Sequence, residues 1–331
     1  MKKIVILAGG CGSERAVSLS SGKRVAEALC RLGIMTALID PSRDVCAGGE
    51  LFFNDLEKLK KASPLFSATD CADTEGAIPL TESALSVCKG ADAVFICLHG
   101  GIGENGRLQA VLETFGIKYF GSSPEGSAMA MDKLLSKRIL ESVGIPTPIY
   151  TVYKKGDVSP PVPPRYPCVV KPVGEGSSVG VSIVSTVSEL TGAIEEALEC
   201  SDTIIMEARI KGREITVGIL GDIPLAVTEI IPKGRFYDYE SKYTVGKTVE
   251  ITPAEISEEC TKRAMRLAIR THNALGLKNF SRVDMMIEER TGLIYVLEAN
   301  TIPGMTPTSL LPLAAEYRGI DLSSLCERMM S

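Results

Sequence analysis

The stretch S-R-V-D-M-M-I-E-E-R-T-G-L-I-Y-V-L-E-A-N-T-I-P-G-M-T-P-T-S-L, Ser281–Leu310, governs the reading of the chain. Its apolar runs, Val283–Ile287 and Leu293–Leu297, predict two strands, with Glu288–Gly292 as the turn between them. Gly292 suits a turn position with positive φ. Folding back there brings Asp284 and Glu298 nearly opposite each other. Glu298 and Asn300 are two apart, so they share one strand face. Two carboxylates and an amide oxygen at the end of an apolar hairpin suit a hard cation such as Mg²⁺, with phosphates completing its shell. Without a cation between them the carboxylates would repel. An ordinary hairpin with an acidic rim is the competing reading. Arg282 is a planar donor suited to phosphate or an oxyanion. Pro303-Gly304 and the hydroxyls of Thr306–Ser309 add further donors.

Upstream, Pro253–Leu275 reads as a long amphipathic helix ending at Gly276 and backing the hairpin, with His272 as a structural residue. Ahead of it, Lys233–Lys247 places Phe236, Tyr237, Tyr239 and Tyr243 within eight residues, interleaved with Lys233, Arg235, Lys242 and Lys247. The whole chain has eight Phe, nine Tyr and no Trp, so this concentration points to a lid over an anionic ligand. Strands Thr203–Met206 and Glu214–Leu220 flank a linker with Glu207 and Glu214 at its ends, a pattern suited to clamping adenosine. Earlier still, Lys171–Gly180 (K-P-V-G-E-G-S-S-V-G) joins strands Cys168–Val170 and Val181–Val184. Its glycines free successive N–H groups to wrap phosphate oxygens, and Lys171 would meet the same phosphates. A plain flexible hairpin is the alternative, and no G-x-x-x-x-G-K-[ST] motif occurs. Glu189–Glu199 reads as an amphipathic helix. Glu125–Val143 reads as one long helix carrying Met131-Asp132-Lys133, with Gly144 as its C-cap.

At the start, strand Lys2–Ala8 enters Gly9-Gly10-Cys11-Gly12-Ser13-Glu14, a helix follows to Gly33, and Met35–Ile39 is a second strand. This is the opening of a doubly wound α/β sheet. Glu14 at the helix head would repel a pyrophosphate and attract an ammonium group. A nicotinamide dinucleotide site on this turn, with Asp40 closing the second strand, is a rival that leaves the hairpin and the lid without a role. Strand Ala93–Leu98 delivers His99-Gly100-Gly101 and I-G-E-N-G to its carboxyl end, where open α/β sheets bind ligands. His99 reads equally as a satisfied core histidine. Arg107–Phe115 is helical, Lys118–Phe120 a last strand, and Gly121–Pro124 a boundary. Pro41–Gly90 reads as surface elaboration, and Leu310–Met330 as one or two closing helices.

With 331 residues, 45% of them hydrophobic, the chain predicts two or three domains. A net charge of −5 offers no field for nucleic acid. No apolar run approaches a membrane span, and Ile4–Ala8 is too short for a signal-peptide core despite the flanking lysines. Ten scattered Cys without a C-x-x-C pair read as reduced core residues of a cytoplasmic protein. Two His exclude a His-rich metal site.

In order, the chain presents G-G-C-G-S-E-R-A-V-S-L-S-S-G, C-L-H-G-G-I-G-E-N-G-R-L-Q, M-D-K, V-V-K-P-V-G-E-G-S-S-V-G, F-Y-D-Y-E-S-K-Y, S-R-V-D and L-E-A-N-T-I-P-G-M-T-P-T-S-L. These motifs resemble the D-alanine–D-alanine ligases, ATP-grasp enzymes of peptidoglycan precursor synthesis. The resemblance covers nearly the whole chain and thins only across Pro41–Gly90. It implies an α/β ATP-grasp architecture: a Rossmann-like domain over 1–121, a central α+β domain over 122–208, and a C-terminal α+β domain over 209–331 carrying lid and metal site.

The resemblance assigns Asp284, Glu298 and Asn300 as ligands of Mg²⁺ or Mn²⁺, two ions in all. Lys133 and Lys171 match phosphate-binding lysines, Gly176, Ser177 and Ser178 the phosphate loop, and Glu207, Ala208, Ile210 and Glu214 the adenosine contacts. Lys242 points toward the γ-phosphate, with Asn300 also on the ATP side. Glu14 matches the carboxylate near the first D-alanine's ammonium, with His99 close by. Ser177 and Tyr243 hydrogen-bond with the Glu14 position, and Arg282 and the Gly304 N–H form the oxyanion site. Ser309 and Leu310 meet the second D-alanine. The implied reaction joins two D-alanines through an acyl phosphate, in a cytoplasmic homodimer. Depsipeptide-forming relatives carry His at the Tyr243 position, so D-alanine is expected over D-lactate, with D-serine as the alternative. Gly174 stands where some members are basic. Another ATP-grasp ligase and a non-catalytic nucleotide-binding regulator are the remaining rivals.

Overall fold

Strand β1 (Lys3–Leu7), helix α1 (Arg15–Arg31) and strand β2 (Met35–Ile39) form the expected β–turn–α–β opening of this computed structural model. The structure describes residues 2–10, 14–45, 49–66, 80–158, 162–233 and 248–331. Lys242, Tyr243 and the expected lid beyond Lys233 lie outside the described residues. Helices α2 (Leu56–Ala62) and α3 (Glu82–Lys89) lead to β3 (Ala93–Ile96). Helices α4 (Gly101–Glu104) and α5 (Arg107–Thr114) lead to β4 (Tyr119–Phe120). These strands make a parallel sheet in the order β2-β1-β3-β4. Helices cover a sheet of this kind on both faces, which is why Ile4–Leu7 is continuously apolar and fully buried. Asp40, the acidic residue a dinucleotide site would need, pairs with Arg15 at 2.6 Å and accepts the Gly10 N–H at 3.1 Å. It is spent on closing the first turn.

The single helix expected over Glu125–Val143 is two: α6 (Pro124–Met131) and α7 (Lys133–Ser142). Asp132 causes the break. Its backbone is extended, with ψ 101°, and its side chain caps α7 by accepting the Leu135 N–H at 2.9 Å. The Lys133 N–H leaves the helical ladder for the Val173 carbonyl, 2.9 Å away. The break makes Lys133 the first residue of α7, at the edge of the site.

The second sheet contains β5 (Tyr150–Lys154), β6 (Cys168–Pro172), β7 (Ser182–Val184) and β8 (Thr203–Ala208), with helix α8 (Val187–Cys200) between β7 and β8. Its order is β5-β8-β6-β7, antiparallel throughout. The third contains β9 (Gly212–Leu220), β10 (Ile223–Pro232), β11 (Thr248–Ile251), β12 (Phe280–Glu288) and β13 (Ile294–Asn300), ordered β11-β10-β9-β12-β13. Sequence reading missed β5, β10 and β11. Pro224 and Pro232 argue against a strand at β10, yet Pro224 sits at a register shift, where a missing N–H is tolerated.

Helix α9 (Glu258–Ala274) starts five residues later than Pro253, because Ser257 caps it through the Cys260 N–H. It backs the hairpin as expected: Ala264, Leu267 and Ala268 share a core with Val283, Met285, Ile294 and Val296. Helix α10 (Leu310–Tyr317) packs on β9 and β10, and α11 (Leu322–Met329) closes the chain against α1. Among the described residues no helix is long and apolar enough to cross a membrane.

Candidate active site

The β12–β13 ladder pairs Asp284 with Glu298 and Arg282 with Asn300, the register the hairpin reading predicts. A bulge after Asp284 shifts the register by one residue, and pairing resumes from Met285 with Val296 to Ile287 with Ile294. Arg282 grips Asp284 with two bonds, Nε to Oδ1 at 3.1 Å and Nη2 to Oδ2 at 2.7 Å. Thr216 on β9 donates to the same Oδ1 at 2.6 Å. Lys133 Nζ lies 3.3 Å from Glu298 Oε2. Each carboxylate therefore faces positive charge, and with the Asn300 amide they make the all-oxygen donor set that a hard divalent cation takes. These residues fit such an ion. Among the described residues no three His, Cys, Asp or Glu side chains converge. The expected set needs only two carboxylates and an amide.

Two cavities meet at this hairpin. The smaller holds Glu14, His99, Gly176, Ser177, Arg282, Asn300, Gly304, Ser309 and Leu310. Glu14 heads α1, 91% buried, and accepts a short hydrogen bond from Ser177 Oγ. The partners are 163 residues apart in sequence. A Cβ on Gly100 would stand 2.4 Å from Glu14 Oε2, so only glycine admits the carboxylate there. Glu104 also lines this cavity and accepts the Gly100 N–H at 3.1 Å. Its Oε1 is buried without a hydrogen-bond partner among the described residues. Burial, reinforced by the charge of Glu14, pushes its carboxyl up to about 8. At the far side Ser309 Oγ accepts the Thr306 N–H at 2.9 Å, and a Cβ on Gly304 would stand 2.6 Å from that oxygen.

The larger cavity, about 460 Å³, lies between the second and third sheets. It contains Lys171, Ser178, Glu207, Ala208, Ile210, Glu214 and Asp284. The Ala208 and Arg209 N–H groups already bond to Ile149 and Pro167 carbonyls, at 2.9 and 3.1 Å. Glu207 is held between Lys171 Nζ at 2.6 Å and Lys137 Nζ at 2.7 Å. Lys133 and Glu298 line both cavities. Above the junction, Ser177 and Ser178 have φ of 48° and 62°. Two successive left-handed serines are strained, as loops at functional sites often are.

Sequence reading missed Lys137 and Thr216 as parts of this site. Lys137 alone had a signal, since it lies one helical turn beyond Lys133 on the same face.

Family models for the D-ala D-ala ligase N-terminus and C-terminus match residues 3–122 and 139–331. The D-alanine–D-alanine ligase of Syntrophotalea carbinolica is 39% identical, covering 100% of this chain and 95% of its own. The solved structure of the Bacillus anthracis D-alanine–D-alanine ligase complexed with ATP superposes with a TM-score of 0.77 at 28% identity, covering 100% of this chain and 96% of that one. The VanG D-Ala:D-Ser ligase of Enterococcus faecalis gives 0.78 at 31% identity, covering 99% and 98%. With both halves matched and the likeness running the full length, the chain belongs to the D-alanine–D-alanine ligase family.

Proposed function

We propose that the chain joins two D-alanines into D-alanyl-D-alanine, driven by cleavage of ATP to ADP and phosphate, for peptidoglycan precursor synthesis. The observation that carries this reading is the meeting of an ammonium-accepting cavity and a nucleotide-sized cavity at Lys133 and Glu298. ATP in the larger cavity would direct its γ-phosphate at a carboxylate held in the smaller one. The first D-alanine's ammonium sits against Glu14, and its carboxylate oxygen attacks the γ-phosphorus as ADP leaves. Lys133, Lys171 and Lys242 neutralise the spreading charge, so catalysis is positioning and electrostatics. The amine of the second D-alanine, having lost one proton, attacks the acyl carbon, and phosphate leaves. The oxyanion of that step rests against Arg282 and the Gly304 N–H, while Ser309 and the start of α10 hold the second carboxylate.

Asp284, Glu298 and Asn300 would hold Mg²⁺ or Mn²⁺, which when bound draws charge from the phosphoryl oxygens. A three-domain division at 121/122 and 208/209 is supported by one sheet falling in each part. A homodimer is proposed on the family resemblance alone.

Phosphate release from ATP and Mg²⁺ tests this reading, with D-alanine compared against L-alanine, and D-serine and D-lactate offered beside D-alanine. D-alanine-dependent release with dipeptide as the main product at neutral pH is expected. ATP binding without such release, or depsipeptide forming faster than dipeptide, would overturn it.

A further inference from the structure

His99 reaches from the end of β3 to the loop that follows β13. Its Nδ1 lies 2.9 Å from the Ile302 carbonyl oxygen, which can only accept, so Nδ1 carries a proton. Its Nε2 lies 2.9 Å from Ser21 Oγ on α1. Ser21 is fully buried, and its Oγ accepts the Met305 N–H at 3.0 Å. One hydroxyl proton remains to be placed, and the ring nitrogen is its acceptor. A doubly protonated ring would instead force Ser21 to accept twice and send that proton elsewhere around a fully buried oxygen. Burial also lowers the His99 pKa, in keeping with a neutral ring. One turn along α1, Arg24 donates to the Met305 carbonyl at 3.0 Å. The backbone on either side of Gly304 is thus tied to α1 and to the loop after β3, segments far away in sequence.

We infer that Ser21 is a positioning residue for the ligation: it fixes His99 in its Nδ1–H form and clamps the Gly304 loop against α1. With both ring nitrogens engaged, His99 is not the group that takes the second amine's proton. The inference rests on the proposed role of the Gly304 N–H at the oxyanion.

The chain has two His, so ring ¹⁵N spectra of histidine-labelled protein at neutral pH are assignable with a His272→Gln variant. His99 should show a protonated Nδ1 and an unprotonated Nε2. Ser21→Ala should disturb that pattern and lower kcat roughly 10- to 100-fold through loop misplacement, with KM for ATP unchanged. A protonated Nε2 in the unsubstituted protein overturns the inference. So does a Ser21→Ala protein whose ring spectrum and kcat match the parent. If Ser21→Ala fails to fold, the parent spectrum still decides the tautomer. Absence of any D-alanine-dependent turnover in the parent would sink the proposed function and leave the spectrum readable.

Discussion

Replacing Lys137 by Met should be felt in both stability and nucleotide binding. Lys137 is 99% buried, and its Nζ lies 2.7 Å from Glu207 Oε2, 2.7 Å from Thr147 Oγ1 and 3.3 Å from the Pro148 carbonyl. Lys171 holds the other Glu207 oxygen at 2.6 Å. Burial pushes the Glu207 carboxyl up, but the two ammonium groups outweigh it and hold it below the usual range. Glu207 therefore stays ionised, and its charge is shared. Lys137→Met keeps the stem and removes the charge. Removing one partner of a buried ion pair costs about 3–5 kcal/mol. Lys171 remains, so the lower end applies, a fall in Tm of roughly 5 °C for a chain of this size. Glu207 would then lean on Lys171 alone. If that holds Lys171 by a further 1.4 kcal/mol or so, ATP binding weakens about tenfold. KM for D-alanine should not move, since Lys137 does not line that cavity. Adding Glu207→Gln removes the stranded carboxylate and should recover part of the lost stability. Thermal unfolding and initial-rate phosphate release provide the readouts. A single variant with unchanged Tm and KM for ATP, or a double variant whose losses simply add, would refute the reasoning.

Gly304→Ala forces a Cβ to 2.6 Å from Ser309 Oγ, so the loop must shift; kcat should fall roughly 100-fold while ATP still binds, as steady-state kinetics would show. Asp284→Asn removes one charge from the cation set and breaks the two-bond grip of Arg282. Its half-saturating Mg²⁺ should rise about tenfold or more in a Mg²⁺ titration of activity, and chelation should abolish turnover in the parent. Glu104 makes stability fall with pH. Its folded pKa of about 8 lies above the unfolded carboxylate range near ~4.3, so the stability it contributes is full at low pH. That contribution drains as pH rises through the folded value. Glu104→Gln should remove the slope, and the Tm difference in its favour should widen from pH 5 to pH 8.5.

The hairpin was legible because two apolar runs, a turn glycine and the two-residue spacing of Glu298 and Asn300 are local features. The facing of Asp284 and Glu298 followed from them directly. Contact between Glu14 and Ser177 was not legible from spacing, since it spans 163 residues and two sheets; only the family resemblance suggested it. Asp132 reads as an ordinary helix residue unless the Val173 carbonyl that draws off the next N–H is known. Lys137 reads as a solvated lysine because the carboxylate that makes its burial tolerable arrives from β8. Ser21 sits in a run of small residues on α1, and its partners come from the loops after β3 and β13.

The central claim, an acyl phosphate built from one D-alanine and opened by a second, can be read from one isotope experiment. D-alanine carrying ¹⁸O in both carboxylate positions is incubated with the protein, ATP and Mg²⁺, and phosphate and dipeptide are weighed by mass spectrometry. The account predicts one ¹⁸O in each phosphate released and a dipeptide lacking one label, because the attacking carboxylate oxygen leaves with the phosphorus. Dipeptide formed beside unlabelled phosphate would contradict it.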